Sequence, residues 1–149
     1  LIIDTFAINN TQNFTEEKKP NLDVNFAQEY PLQILVAEDN PTNQKLMRFL
    51  LKRLGYEIDI VGNGKEAIKA LEKRFYNLIL MDVQMPEMDG LTATKNIREL
   101  FNRQPWIIGL SANAFAEDRE LALSVGMNNY LTKPLKIESL VEALLLVKS

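Results

Sequence analysis

Several side chains able to do chemistry stand directly behind short apolar runs in this chain. Glu38 and Asp39 follow Leu32–Ala37, and Asp82 follows Leu78–Met81. Ser111 follows Trp106–Leu110, and Lys133 with Pro134 follows Met127–Leu131. One further run, Glu57–Val61, ends at Gly62 and brings no reactive group. Gathered in one place, three carboxylates repel one another unless a cation joins them. Mg²⁺ suits such a set, because it takes oxygen ligands and favours one or two carboxylates together with phosphate oxygens. Lys133 adds a compact positive charge for a phosphoryl oxygen, and Ser111 a hydroxyl donor. The chemistry is that of a phosphoryl site in which a carboxylate is the nucleophile and forms an aspartyl phosphate. No general base is needed, since a carboxylate is ionised at neutral pH. The work is positioning and charge neutralisation.

Such a site exists only if the fold brings those runs side by side. Each run is short and rich in Ile, Val and Leu, as strands buried on both faces are. Glu57–Val61 alternates polar with apolar, as an edge strand does. Amphipathic segments lie between: about 41–54, 64–74, 90–101, 114–125 and 136–148. Leu46, Met47, Leu50 and Leu54 form the expected inner face of the first, with Pro41 in its first turn and Gly55 as its stop. Ala67, Ile68 and Leu71 face inward in the second, and Ile137, Leu140, Val141, Leu144 and Leu145 form the apolar side of the last. Strict alternation predicts an α/β fold: a five-stranded parallel sheet, doubly wound, with right-handed crossovers. In such sheets ligands sit beyond the carboxyl ends of the strands, where these five residues fall.

Composition narrows the chemistry. The 149 residues contain no cysteine and no histidine, which removes disulfides, thiolate zinc sites and His-based triads. The net charge of −3 is carried by residues 1–30, while the remainder balances. No basic stripe tracks a phosphate backbone, so direct nucleic-acid binding is not expected. No apolar run is long enough to span a bilayer, and no signal peptide is evident, so a cytoplasmic segment without membrane contact is expected. The chain does not start with Met, as expected of a processed chain or of a piece cut from something longer. Residues 1–30 show no sustained period and read as a linker or N-terminal extension before one domain over 31–149. The alternative is a segment that packs on the domain, since Phe6, Phe14 and Phe26 need cover. The sequons at Asn9 and Asn13 are read as chance matches.

Taken singly, each site residue has a plainer reading. Asp39 could cap the helix that starts at Pro41, and Ser111 could cap the fourth helix. Lys133 could be a surface loop residue, Tyr130 a half-buried aromatic, and Asp89-Gly90 a turn. Gly62-Asn63-Gly64 is a turn rather than a nucleotide loop, since its third glycine is missing. The coincidence of several strand ends favours the joint reading.

The motifs resemble the receiver domain of two-component response regulators over about Leu32–Val147. Ile34-Leu35-Val36-Ala37-Glu38-Asp39-Asn40 is similar to that family's acidic first strand and loop. Met81-Asp82-Val83-Gln84-Met85-Pro86-Glu87-Met88-Asp89-Gly90 is similar to its phosphoacceptor loop. Leu110-Ser111-Ala112-Asn113-Ala114 and Lys133-Pro134 complete the set. Asn40 with Asn43-Gln44, and the Met-Pro-x-Met-Asp-Gly stretch, resemble receivers fused to hybrid sensor histidine kinases. The resemblance implies a flavodoxin-like (βα)5 sheet in the order 2-1-3-4-5. It implies Asp82 as phosphoacceptor, and Mg²⁺ held by Glu38, Asp39, Asp82 and the backbone carbonyl of Gln84. Ser111 would bind the phosphoryl group and Lys133 pair with it. Tyr130 would be the switch aromatic, turning inward as Ser111 moves. Gln84 and Asn113 would tune phosphate lifetime, and the Lys133–Pro134 bond would be cis.

The implied role is a phosphorelay signalling domain that assists its own phosphorylation and dephosphorylation rather than a free-standing enzyme. Its implied partner is a histidine kinase dimerisation/phosphotransfer domain or a histidine phosphotransfer protein. A homodimer through the fourth helix, fifth strand and fifth helix is a candidate contact. A phosphatase with an aspartyl nucleophile is disfavoured, because Gln84 stands where its second Asp would. A receiver degenerated to a binding module would have lost an acid or the Lys, and none is lost.

Overall fold

The computed structural model describes residues 22–148. Phe6, Phe14, both sequons and the rest of 1–21 lie outside the described residues.

Five parallel strands form one sheet in the order β2-β1-β3-β4-β5. They are β1 (Ile34–Ala37), β2 (Ile58–Val61), β3 (Leu78–Asp82), β4 (Trp106–Ser111) and β5 (Asn129–Thr132). The connecting helices are α1 (Pro41–Arg53), α2 (Gly64–Lys73), α3 (Gly90–Leu100), α4 (Ala116–Ser124) and α5 (Ile137–Leu145). The doubly wound α/β arrangement is as expected, and strand order reverses beside β1.

The sheet divides two cores, which explains the unbroken apolar runs. Ile34, Val36, Leu78, Leu80, Ile108 and Leu110 pack toward α1 and α5. Leu35, Ala37, Ile79, Met81 and Ile107 point the other way, toward α2, α3 and α4. Successive strand residues face opposite sides, so a strand covered on both must be apolar at every position. β2 is one of the two edge strands, with Asp59 exposed, as its alternation predicts.

Several boundaries differ from the sequence reading. β3 and β4 do end in Asp82 and Ser111, one residue past their apolar runs, as expected. β1 begins at Ile34 and β5 at Asn129, each two residues late. α4 occupies only Ala116–Ser124, and α5 stops at Leu145. On α1 the buried face is Met47, Leu50 and Leu51, with Leu54 behind them; Leu46 is at the surface. Leu145 is likewise exposed, and Ala143 fills the core instead.

The end of the expected linker packs on the domain. One helical turn, Phe26–Glu29, precedes β1, and Phe26 is fully buried among Leu54, Tyr56 and their neighbours. The Ala27 amide donates to the Leu54 carbonyl at 2.8 Å, and the Tyr56 hydroxyl to the Tyr30 carbonyl at 2.5 Å. Burying an aromatic of this size stabilises by roughly 2–3 kcal/mol.

Candidate functional site at the carboxyl edge of the sheet

Glu38 follows β1 and is almost fully buried. Its amide donates to the Val61 carbonyl at 2.9 Å, tying it across β2. Its Oε2 accepts from the Asn40 amide at 3.1 Å, and its carbonyl from the Gln44 side chain at 2.6 Å. Asp39 is exposed, and it is Asn40, not Asp39, that caps α1 by accepting from the Thr42 and Asn43 amides. Asp82 is buried at the end of β3, and its Oδ1 accepts from the Gln84 amide at 3.2 Å. One oxygen from each of Glu38, Asp39 and Asp82 can be chosen so that all lie within 4.8 Å of one another.

Lys133 reaches this group from beyond β5. Its Nζ donates to Asp82 Oδ2 at 2.8 Å and to Glu38 Oε1 at 2.9 Å. Burial works against its charge, but the hydrogen bonds and negative charges of Asp82 and Glu38 outweigh it, so the ammonium is held above the usual lysine value. The Lys133 amide donates to the Ser111 carbonyl at 2.8 Å, and the Lys133–Pro134 bond is cis. Lys133 is therefore not a plain surface loop residue.

Ser111 is buried and does not cap α4, whose N-terminal position is taken by Phe115 without a side-chain bond. Its Oγ accepts from the Asn113 amide at 3.1 Å, leaving the hydroxyl proton to point elsewhere. Tyr130 faces inward and is buried, and its hydroxyl donates to the Asn113 carbonyl at 3.0 Å. Ser111 and Tyr130 thus meet at one loop residue. The Gln84 and Asn113 residues are themselves exposed. Each sends its amide back to the functional residue two positions earlier.

Asp89 caps α3 by accepting from the Thr92 amide at 2.7 Å, as a turn into a helix should. Gly90 is required beside it: a Cβ there would lie 2.1 Å from the Asp82 carbonyl oxygen. The 83–89 loop therefore folds back against the strand that ends in Asp82, closed by the Gly90 amide on the Val83 carbonyl at 2.9 Å. Gln44, Asn63 and Glu87 also belong to this edge. Gln44 bonds the nearby Glu38 carbonyl, while Asn63 and Glu87 pair across two loops, a contact that sequence alone does not show.

Three carboxylates face one ammonium here. The donors are hard oxygens and one of the acids is open to solvent, which suits a small divalent cation. A cation would free Lys133 for another negative group.

The sequence model of the response regulator receiver domain matches residues 34–145. Hybrid signal transduction histidine kinase H of Dictyostelium discoideum is 49% identical over 116 residues, covering 74% of this chain and 8% of that protein. The chain spans about 5–15% of the length of the curated relatives it matches. The crystal structure of the receiver domain of sensor histidine kinase PA1611 from Pseudomonas aeruginosa, with magnesium in its active site cleft, is 44% identical. Its TM-score is 0.70, covering 76% of this chain and 93% of that one. The receiver domain of Saccharomyces cerevisiae Ssk1, solved with the histidine phosphotransfer protein Ypd1, is 31% identical. Its TM-score is 0.71, covering 76% of this chain and 86% of that one.

Proposed function

Because this chain belongs to the response regulator receiver domain family, we propose that it accepts a phosphoryl group on Asp82 from a partner's phosphohistidine. The observation that carries this reading is Lys133 bridging buried Asp82 and Glu38, with Asp39 alongside. A carboxylate oxygen of Asp82 attacks phosphorus, the P–N bond breaks, and the imidazole leaves with the bonding electrons. Glu38, Asp39, Asp82 and the Gln84 carbonyl would hold Mg²⁺, which supplies charge neutralisation for the phosphoryl oxygens. Lys133 pairs with one of those oxygens, and the Ser111 hydroxyl donates to another. Ser111 moving toward the phosphoryl group alters the Asn113 loop, and Tyr130 responds through its bond to that loop. Gln84 and Asn113 flank the approach and set how long the phosphate survives. These roles are supported by the residues' convergence on one edge and by their match to the family's motifs.

The domain then relays the group or regulates an attached kinase, as a signalling domain and not as a turnover enzyme. The hybrid kinases among its relatives, and the Ssk1–Ypd1 complex, support a histidine phosphotransfer protein or a kinase phosphotransfer domain as partner. A homodimer through the α4–β5–α5 face is a second contact. Residues 31–149 form the receiver and 1–30 the extension leading into it, the end of which docks through Phe26. Among the described residues no helix is long and apolar enough to cross a membrane. The domain would share the cytoplasm with the phosphohistidine partner proposed for it. The test is transfer from a purified histidine phosphotransfer protein carrying ³²P. Label should pass to this chain and not to Asp82→Asn; label reaching the variant equally would place the acceptor elsewhere.

A further inference from the structure

The loop that follows Asp82 is held at its far end by a residue on a different loop. Asn63, between β2 and α2, is nine-tenths buried, and its side chain makes two bonds in different directions. Its Oδ1 accepts from the Glu66 amide at 2.9 Å and caps α2. Its Nδ2 donates to Glu87 Oε2 at 2.9 Å. The amide orientation is fixed by chemistry: a backbone N–H needs the oxygen and a carboxylate needs the nitrogen.

Glu87 is the one non-glycine residue with positive φ among the described residues, at 63°. A residue with a Cβ enters that region only when its surroundings hold it there. The next residue is clasped too, since the Gly64 amide donates to the Met88 carbonyl at 2.9 Å. Only glycine allows that approach, because a Cβ on residue 64 would lie 2.8 Å from the same carbonyl oxygen. The Met88 amide closes a tight turn onto the Pro86 carbonyl at 2.7 Å. With the Gly90–Val83 bond at its base, the 83–89 loop is pinned at both ends. Gln84 lies between the pins.

We propose that Asn63 is a positioning residue of the phosphoacceptor site. By holding Glu87 in its left-handed conformation, it fixes the 83–89 loop and therefore the Gln84 carbonyl. This rests on the reading that this carbonyl and the three carboxylates take Mg²⁺. Capping α2 does not require the second bond, since a serine or aspartate would cap as well. The Glu87 contact is what an asparagine adds.

The test exchanges donor and acceptor. Asn63→Asp keeps an oxygen for the Glu66 amide but sets a carboxylate against Glu87. Asn63→Asp with Glu87→Gln restores a donor–acceptor pair with the original net charge. Mg²⁺ affinity is read by calorimetry on the unphosphorylated chain, with amide hydrogen exchange of Gln84 and Met88 in EDTA and a thermal melt as the fold control. Asn63→Asp should weaken Mg²⁺ binding about five- to tenfold and speed exchange of both amides, with a melting point close to wild type. The double variant should return within twofold of wild type on both readouts. The extra negative charge alone would attract a dication, so weakening cannot be a simple charge effect. Unchanged affinity and exchange in Asn63→Asp, or no rescue by the double variant, would overturn the role of Asn63 while leaving the Mg²⁺ site intact. No Mg²⁺ binding by wild type would overturn the site reading and this one with it.

Discussion

The two ends of the sheet are both polar, yet they do opposite things with their polar groups. At the amino end the side chains close on one another. Arg74 meets Asp59 at 3.4 Å and Gln33 at 2.6 Å, and the Tyr76 hydroxyl bonds the same Asp59. Asn77 and Asn128 accept from the backbone of neighbouring segments, at Gln33 and Ile107. Arg98 is satisfied by Gln104, Asn128 and the Pro105 and Gly126 carbonyls. Asn77, Asn128 and Arg98 thereby serve backbone groups that the strand ends would otherwise leave open, while Arg74, Asp59, Gln33 and Tyr76 satisfy one another. At the carboxyl end three acids face Lys133, and the charges do not balance. Shape does not separate the ends. A groove of about 440 Å³ opens at the amino end, beside Tyr56 and Tyr76. Unbalanced buried charge marks the reactive edge where concavity does not.

Changes at the two ends should therefore separate function from stability. Asp82→Asn should abolish phosphoryl acceptance while melting no lower than wild type in EDTA, since it relieves crowding among the acids. A large drop in its melting point would give the acid a structural role and blur the contrast. Phe26→Ala, at the other end, should cost about 3–4 kcal/mol in urea denaturation and leave phosphorylation of the folded fraction unchanged. A stability loss below about 1 kcal/mol would mean the leading turn is not part of the domain.

Lys133→Met should cost about 2–3 kcal/mol in EDTA, because it strands buried carboxylates. The deficit should shrink as Mg²⁺ is added, which a loss of packing would not do. Alkaline pH acts on both ends. The Tyr76 phenol is pushed up to about 12, first by burial and then by the Asp59 bond and charge. Its contribution is whole below the unfolded value of roughly 10 and is lost as pH rises through about 12. Lys133, also raised, loses its contribution on the same alkaline side. Urea melts between pH 9 and 12 should fall more gently in Tyr76→Phe. The smallest effect belongs to Arg74→Ala, whose ion pair is half exposed; about 0.5–1 kcal/mol is expected, with phosphorylation unaffected.

The carboxyl edge was legible in the sequence because its logic is local. A strand covered on both faces reads as an apolar run, and the residue that ends it must lie at the edge. Asp82 and Ser111 end their strands as expected, where ladder bonds such as Val83 amide to Leu110 carbonyl reach past the apolar residues. The strand starts were less legible, since the apolar runs before β1 and β5 begin two residues ahead of Ile34 and Asn129. On α1, Leu46, Met47, Phe49, Leu50, Leu51 and Leu54 crowd several faces, so periodicity alone chose Leu46 where the fold buries Leu51. Phe26 looked like a linker residue because a single helical turn has no period to show. Asn63 was least visible of all. Its sequence context signals a turn, and its bond to Glu87 joins loops 24 residues apart.

The central claim is that the unbalanced edge exists to take a phosphoryl group on Asp82. Intact mass after incubation with phosphoramidate, in Mg²⁺ or EDTA, tests it most directly. The wild-type chain should gain one phosphoryl group in Mg²⁺ and none in EDTA, and Asp82→Asn should gain none. A gain by the variant, or no gain by wild type from either the small donor or a phosphohistidine protein, would contradict it.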